Sequence, residues 1–305
     1  MTVLLGNSGA PRWYFGPDRS FSEYLDRLVE WGATSAEIVL HHGAFDERTA
    51  RVHVLEPDWR STIQAYRACG LAVQFHVSLD QRFATSRWRR ERDDLRDEYQ
   101  PILRLLTEIA EEQPRIVLVL HGAVDLSATP EDNEDATVGL LDWLATEFSA
   151  RSLPAKAAIE LGAAKPGRES SAARSRSSVS NIVERVGSAQ VGICWDTAHD
   201  IENAGIEDGW TLIPGNQFLR HVIHLHLHDL GDDGLAHYPL VLDRVPFAAQ
   251  LESLARIGSL PSLTMEIRWY CASRLGDPWE MLGESYAVVE RELRHIAALR
   301  DRAST

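Results

Sequence analysis

Residues 221–229 read HVIHLHLHD, a run in which imidazole and aliphatic side chains alternate. Successive side chains of an extended strand point to opposite faces, so His224, His226 and His228 share one face and the aliphatic side chains share the other. Three imidazoles inside a barrel must be hydrogen-bonded or liganded to offset their desolvation. A half-exposed strand with its histidines in water is the alternative, and this stretch alone does not decide between the two.

Seven other short apolar runs are typical of strands, and helical segments alternate with all eight runs. The seven are TVLLG (2–6), SAEIVL (35–40), LAVQFHV (71–77), RIVLVLHG (115–122), KAAIELG (156–162), AQVGICWD (189–196) and SLTMEIRW (262–269). Alternating strands and helices predict a parallel sheet, and eight repeats predict an α/β fold of the (β/α)8 TIM barrel type. No linker divides the pattern, so we expect one domain over residues 1–305.

The composition restricts the classes of partner. The formal net charge of −14 argues against binding nucleic acid through a generally basic surface, although a local basic site stays open. No apolar run approaches the roughly 18 residues of a membrane span, and the first residues do not resemble a signal peptide. Three widely spaced cysteines predict neither disulfides nor a cysteine zinc site. We therefore expect a cytoplasmic protein with no membrane partner.

Potential metal ligands occupy the predicted lumen face near the ends of six strands. Active sites of TIM barrels form at the carboxyl ends of the strands, where alternate side chains face the lumen. The candidate ligands are His76, His121, Glu160, Asp196, His226 and Glu266. Carboxylates that converge in a lumen of low dielectric repel one another unless protons or a cation compensate their charge. The mixed imidazole and carboxylate set predicts a divalent metal site and favours zinc or manganese over calcium.

Six motifs, FHVSL, VLHGA, AIELG, CWDTAH, IHLHLHD and TMEIRW, resemble those of the xylose isomerase-like barrel superfamily, which includes endonuclease IV and many sugar isomerases and epimerases. The resemblance spans nearly the whole chain, and CWDTAHD is its most specific part. It implies Glu160, Asp196, His226 and Glu266 as ligands of one metal. His226 is preferred to the other histidines of its strand because it stands three residues before Asp229, as in the family's His-x-x-Asp pattern.

The resemblance also implies a second metal site. Endonuclease IV carries two further histidines at the ends of its third and fourth strands, and His76 and His121 match them by motif position. With Glu160 as a bridge, these histidines would form a second site beside the first. VLHGA lacks the proline that is usual in the endonuclease version of this motif.

The match to the family's third metal site is weaker. His199 and His237 fit the histidines of that site, but Leu235 stands where the family has the aspartate of its Asp-x-His pair. The family's glycine-rich stretch that follows reads PLVLDRVPF at 239–247. The resemblance therefore supports a third metal less than it supports the first two.

Hydrolysis of a phosphate ester is the function that we favour from the sequence. Clustered cations would activate a water molecule and stabilise charge on the attacking and leaving oxygens, with Glu160 positioning the cations. Arg168, Arg174 and Arg176 lie in the loop after the fifth strand, on the active-site side, where they could hold a phosphate. The substrate would be a small phosphorylated molecule or an abasic DNA strand.

Isomerisation or epimerisation of a sugar or sugar phosphate is the alternative. One cation would bind adjacent substrate oxygens, and Glu160 and Glu266 would exchange the proton of the carbon between them. His199 and Arg268 could orient substrate hydroxyl groups. A barrel that binds a sugar or phosphate ligand around a structural metal is a third interpretation. The two further histidines favour the hydrolase, because an isomerase with one metal has little evident need of them.

Four polar residues with the lumen parity have no role in either scheme. Glu37 and His41 lie on the second predicted strand, and His224 and His228 flank the preferred ligand His226. Either residue of the second strand could contact substrate. A supporting position behind a metal ligand, or simple packing, explains the same pattern.

Overall fold

The protein is described by a computed structural model. The described residues are 5–7, 20–41, 54–55, 59–77, 81–206 and 209–303. Within these ranges, nine strands form one sheet in which every strand pairing is parallel. The strands are β1 (Leu5–Asn7), β2 (Ser35–His41), β3 (Val54–Leu55), β4 (Ala72–Val77), β5 (Ile116–Leu120), β6 (Ala155–Glu160), β7 (Val191–Asp196), β8 (Val222–Leu227) and β9 (Ser262–Met265). Their order in the sheet is β1, β9, β8, β7, β6, β5, β4, β2, β3.

The sheet curls until β1 lies beside β2. The N–H of Thr34 donates to the carbonyl of Leu5 at 2.9 Å, and the N–H of Leu5 donates to Oγ1 of Thr34 at 3.0 Å. Eight strands therefore form a nearly closed ring, while the two-residue β3 pairs with the end of β2. The arrangement confirms the (β/α)8 TIM barrel predicted from the alternating pattern. The short β3 was not predicted.

Helices connect and surround the strands. They are α1 (Phe21–Glu30), α2 (Trp59–Ala68), α3 (Arg92–Ala110), α4 (Pro130–Ala150), α5 (Arg176–Val186), α6 (Thr197–Glu202), α7 (Asn216–His221), α8 (Phe247–Arg256), α9 (Trp269–Ala272) and α10 (Pro278–Ala303). Two short 3₁₀ turns, Gln81–Phe83 and Thr85–Arg89, precede α3. Among the helices of the described residues, none is long and apolar enough to span a membrane.

Local sequence accounts for where several helices begin and end. Before α4, the Thr129 side chain accepts the N–H of Asp132 while the Asp132 side chain accepts the N–H of Thr129, which is a capping box. Before α5, the side chain of Ser175 accepts the N–H of Ser178. The same helix ends at Gly187, whose φ of 63° lies in the left-handed region that a glycine adopts without strain.

Two apolar clusters position the site. The larger lies between strands and helices and includes the fully buried Phe75, Leu118 and Trp195 on the outward strand face. A smaller cluster fills the barrel interior, and we call it the lumen floor: Val117, Val119, Ala158 and Cys194, with Ile223 packed against them. Because the lumen-facing residues alternate along each strand, the polar residues nearer the carboxyl ends lie directly above this floor.

Strand β8 departs from the predicted alternation at Ile223. Ile193 pairs with Val222, whereas the next residue, Cys194, pairs with His224, so Ile223 is an extra residue in β8 at this step. The irregularity brings Ile223 against the lumen floor, although strict alternation placed it on the helix-facing side. From His224 onward the predicted parity holds.

Candidate metal centre

Four of the predicted ligands meet at the carboxyl-terminal mouth of the barrel. Glu160 ends β6, Asp196 ends β7, His226 is the penultimate residue of β8, and Glu266 follows β9 directly. One ligand atom from each of the four lies within 4.8 Å of the others. Three of these residues are buried, and Glu266 is partly exposed. The structure thus brings together the set that the strand parity and the family resemblance selected.

The unsatisfied atoms of this cluster fit a cation. Among the described residues, Nδ1 of His226, Oε2 of Glu160 and Oε2 of Glu266 are buried without a hydrogen bond of acceptable geometry. Nδ1 of His226 lies 3.3 Å from Oε2 of Glu266 and 3.6 Å from Oε1 of Glu160. Buried polar atoms are normally hydrogen-bonded, so their convergence needs a common partner. Carboxylate oxygens with an imidazole nitrogen form a donor set for zinc or manganese.

A second group of ligands adjoins the first and shares Glu160. Nε2 of His76 lies 3.2 Å from Oε2 of Glu160, and Nδ1 of His121 lies 2.9 Å from the same oxygen. The Nε2 atoms of the two histidines are 3.0 Å apart. Because Oε1 of Glu160 faces His226 while Oε2 faces His76 and His121, this carboxylate lies between two potential metal positions. The geometry is that of a bridging ligand.

The charges of these groups are strongly coupled. Burial alone would raise the pKa of Glu160, but the nearby histidine charges, His121 first, lower it well below its usual range. Burial disfavours the charged form of His76, yet the adjacent carboxylates of Glu160 and Glu37 raise its pKa to about 10. The pKa of His226 is likewise raised well above its ordinary value, against the effect of burial. A cation that binds here must displace these histidine protons.

Three more histidines form a layer above the cluster. The ligand atoms of His199, His228 and His237 lie within 4.8 Å of one another. Nδ1 of His228 accepts the N–H of His237 at 2.9 Å, so its Nε2 carries the proton and donates to Oδ2 of Asp196 at 2.9 Å. With both ring nitrogens engaged, His228 orients Asp196 and does not serve as a ligand itself.

His199 and His237 lie together, as the resemblance implied. His237, with φ of 69°, donates Nδ1–H to the carbonyl of Glu266 at 3.0 Å, which leaves Nε2 with a lone pair. Burial lowers the pKa of His237 well below its ordinary value. Leu235, at the position of the family's aspartate, is exposed to solvent. The structure thus brings the two histidines of the predicted third site together without that carboxylate.

His224 lies deeper in the barrel interior than His226 and His228. Nδ1 of His224 is 2.6 Å from Oγ of Ser262, and its Nε2 is 2.9 Å from Oε2 of Glu37. His224, His226 and His228, the three histidines that share the lumen face, therefore differ in what they contact. Only His226 belongs to the cluster that Glu160 shares.

The structure does not offer Arg176 to a phosphate. Its side chain is buried, Nε and Nη2 donate to the carboxylate of Asp200 at 2.6 to 2.9 Å, and Nη1 donates to the carbonyl of Thr211 at 2.6 Å. Asp200 also accepts the indole N–H of Trp195 at 2.8 Å. Arg176 therefore anchors α6 to neighbouring segments, and this contact replaces the predicted contact with substrate.

The other predicted substrate contacts lie around the mouth. Arg168 is exposed and lines a cavity of about 270 Å³ that also contacts His121. Arg174 lies in the same loop, where its carbonyl accepts a hydrogen bond from Asn203 at 3.1 Å. Arg268 follows Glu266 by two residues, and its charge adds to burial in lowering the pKa of His237. The side chain of His41 lies outside the described part of the structure.

The comparison with protein families agrees with this geometry. A family model described as xylose isomerase-like TIM barrel matches residues 25–297. The chain belongs to this family. The segment that matches the xylose isomerase-like family model contains all six candidate ligands near the strand ends. No curated protein sequence matches this xylose isomerase-like chain.

Solved structures with the same fold include several sugar epimerases. An L-ribulose 3-epimerase has a TM-score of 0.64 and 15% identity, with 100% of this chain and 99% of that chain covered. D-psicose 3-epimerase with D-tagatose from Clostridium cellulolyticum H10 has a TM-score of 0.62 and 13% identity, with 96% of this chain and 98% of that chain covered. 3-keto-D-glucoside 4-epimerase from E. coli has a TM-score of 0.65 and 14% identity, with 95% of this chain and 100% of that chain covered. At these identities the similarity shows a shared xylose isomerase-like fold.

Proposed function

We propose that this protein is a divalent-metal-dependent epimerase or isomerase of a keto sugar or a related polyol. The observation that carries the proposal is the position of two carboxylates. Glu160 on β6 and Glu266 after β9 approach one position from strands that are separated by β7 and β8, with the ligand atom of His226 between them. This is the arrangement that proton exchange on two faces of a bound substrate requires.

The residues divide the chemistry among them. A bound zinc or manganese ion, held by Glu160, Asp196, His226 and Glu266, would polarise the ketone oxygen and the neighbouring hydroxyl oxygen of the substrate. The C–H of the carbon next to the ketone would become more acidic as a result. Glu266, the more exposed of the two glutamates, would take the proton from one face of that carbon. Glu160 would relay a proton from solvent to the opposite face, so that the proton lost to Glu266 is replaced. Against burial, the charge of the neighbouring His226 lowers the pKa of Glu266 well below its usual range, so its side chain is ionised and can accept a proton.

The names of the structural neighbours support this choice. Each of the three describes inversion at a carbon next to a ketone: carbon 3 of a 2-ketose twice, and carbon 4 of a 3-keto sugar once. Abstraction of a proton beside a carbonyl is the chemistry that these reactions share. For that reason we prefer the epimerase to the phosphoester hydrolase that the sequence favoured.

Residues at the rim would orient the substrate. We propose that His199 and Arg268 hydrogen-bond hydroxyl groups of the sugar close to the reacting carbon. The cavity beside His121 would receive the far end of the substrate, where Arg168 offers a cation to a phosphate or carboxylate substituent. A small sugar or sugar phosphate is therefore the expected substrate class.

A phosphoester hydrolase with two metals remains the second candidate function. The observation in its favour is the group of His76, His121 and Glu160, whose ligand atoms lie within 4.8 Å of one another beside the first cluster. A pair of cations would activate water and stabilise the charge of an in-line displacement. The net charge of −14 disfavours a long nucleic acid and leaves small phosphodiesters as the substrate class for this candidate.

Proton exchange with heavy water tests the proposal. The protein, loaded with Mn²⁺ or Zn²⁺, is incubated in D₂O with a panel of ketoses, ketose phosphates and keto-glycosides, and the products are analysed by NMR and mass spectrometry. We expect deuterium at the carbon next to the ketone, dependent on metal and abolished by Glu266→Gln. Glu252→Gln, which removes a partly exposed carboxylate on α8, is the matched control and should retain exchange. Hydrolysis of a phosphodiester without any sugar exchange would instead favour the second candidate.

A further inference from the structure

A buried carboxylate that no catalytic scheme uses lies beneath the metal centre. Glu37 is in the middle of β2, has no solvent exposure, and pairs in register with Gln74 of β4. Its side chain enters the barrel interior on the side of the metal cluster that faces the lumen floor. Because it is fully buried below the ligands, Glu37 cannot contact substrate, which was one of the alternatives that the sequence left open.

Three histidines surround this carboxylate. Oε2 of Glu37 lies 2.9 Å from Nε2 of His224 and 3.3 Å from Nε2 of His226, and Oε1 lies 3.5 Å from Nδ1 of His76. A buried carboxylate is costly unless several donors offset its desolvation. Glu37 lies on β2, His76 lies on the neighbouring β4, and His224 and His226 lie on β8. The contacts of Glu37 therefore connect β2 and β4 with a strand that is not their neighbour in the sheet.

Two of these histidines present one nitrogen to Glu37 and the other to the metal centre. For His226, Nε2 faces Glu37 while Nδ1 lies 3.3 Å from Glu266. For His76, Nδ1 faces Glu37 while Nε2 lies 3.2 Å from Glu160. An imidazole ligand gives its lone pair from one nitrogen, and the other nitrogen carries a proton that must be accepted.

We infer that Glu37 is a positioning residue that accepts the outer proton of His226 through Oε2 and offers Oε1 to the outer proton of His76, and so fixes which nitrogen of each faces a cation. This inference rests on the proposed metal centre and adds a common support to its two subsites. Carboxylates behind a ligating histidine set its tautomer and orientation and increase its basicity. In this barrel one buried carboxylate performs that task for both groups of ligands.

The geometry distinguishes this role from simple packing. A carboxylate kept only for stability needs no particular relation to the ligand atoms, yet the contacts of Glu37 to His226 and His76 lie opposite the metal-facing nitrogens. Oε1 of Glu37 has no hydrogen bond of acceptable geometry among the described residues, and it points toward Nδ1 of His76. The hydrogen bond between His224 and Ser262 holds the third neighbour of Glu37 in place.

The substitution Glu37→Gln tests the inference because it preserves size and removes the charge. We expect metal affinity to fall by about 10- to 100-fold, measured by competition with a chromophoric chelator, although Glu37 is not among the proposed ligands. The visible spectrum of the Co²⁺-loaded protein should also change, because altered imidazole orientation changes the ligand field. Titration should show weaker binding at both subsites and not at one alone.

Ser262→Ala is the matched control. It removes a hydrogen bond from the same buried network, but Ser262 contacts His224 and neither of the two proposed ligands. This variant should keep the affinity and the Co²⁺ spectrum of the wild type even if its thermal stability falls. Wild-type affinity and spectrum in a folded Glu37→Gln protein would overturn the inference.

A measurement on the wild-type protein covers the case in which Glu37→Gln does not fold. Nitrogen-15 NMR of the zinc-loaded protein reports which imidazole nitrogen carries a proton. We expect protons on Nδ1 of His76 and on Nε2 of His226, and the opposite tautomers would refute the inference. If the wild type binds no divalent metal at all, the metal centre itself fails, and that result differs from a bound metal that is indifferent to Glu37.

Discussion

The imidazole of His228 holds Asp196 in place at the mouth of the barrel. Nε2 of His228 donates to Oδ2 of Asp196 at 2.9 Å, while Oδ1 accepts the N–H groups of Ala198 at 3.2 Å and His199 at 2.9 Å. Asp196 is thus the N-cap of α6 as well as a proposed ligand. We therefore expect the hydrogen bonds that hold the Asp196 carboxylate to affect its affinity for a cation.

We predict that His228→Ala weakens metal binding without abolishing it. The substitution removes the donor to Asp196 but leaves all four proposed ligands, so the loss should be about 10- to 100-fold. Chelator competition measures this affinity, and circular dichroism checks the fold. Unchanged affinity would show that Asp196 needs no support from His228.

Substitution of His121 should separate the two subsites. His121→Ala removes one ligand of the His76 group, whereas the cluster of Asp196, His226 and Glu266 keeps its side chains. Elemental analysis after equilibration with excess metal should show fewer ions per chain than in the wild type, with binding at the first subsite retained. Complete loss of metal would contradict the division into two subsites.

The metal-free protein should lose stability as the pH rises above neutrality. Against burial, acidic neighbours raise the pKa of His199 to about 9 and that of His76 to about 10, from an ordinary value of 6.5. A group with a raised pKa contributes stability that is fully present below its unfolded value and is lost as pH passes its folded value. The thermal midpoint of chelator-treated protein should therefore fall between about pH 6.5 and 10.

The variant His199→Gln isolates one part of this effect. Its midpoint should vary less with pH than that of the wild type, because the pairing of His199 with Asp196 and Glu202 is absent. A wild-type midpoint that stays constant or rises over this range would contradict the assigned charges. The measurement requires only calorimetry of the chelated proteins at several pH values.

Addition of a methyl group beneath the site should destabilise the barrel. A Cβ at Gly192 would lie 2.7 Å from the carbonyl oxygen of His221 and 2.7 Å from Cγ2 of Ile223. Overpacking of this kind costs about 1 to 3 kcal/mol, so Gly192→Ala should lower the free energy of unfolding in urea by that amount. At Gly162 a Cβ would meet no atom within 4 Å, so Gly162→Ala serves as the control. Equal stability of the two variants would contradict the close packing of β7 and β8.

The period of two along strands explains why so much of the site could be predicted. His76, Glu160, Asp196 and His226 each lie on the parity opposite the apolar residues of their strands, and the barrel places that parity in the lumen. The carboxyl ends of parallel strands meet at one mouth, so sequence position near a strand end predicts position near the site.

Other features depend on contacts between distant segments. The extra residue Ile223 could not be predicted, because strand register depends on both partners. The parity of Glu37 was visible, but its contact with His224, 187 positions away, required the closed barrel. Arg176 was assigned to substrate because its loop lies near the mouth, and the competing carboxylate of Asp200 has no signature in the sequence.

The central claim is that Glu160, Asp196, His226 and Glu266 hold a common divalent cation. Elemental analysis of Glu160→Gln beside wild type and the Glu252→Gln control tests it most directly, with folding verified by circular dichroism. We expect at least one zinc or manganese ion per chain in the wild type and the control, and loss of metal in folded Glu160→Gln. Full metal occupancy in Glu160→Gln, or no metal in the wild type, would contradict the claim.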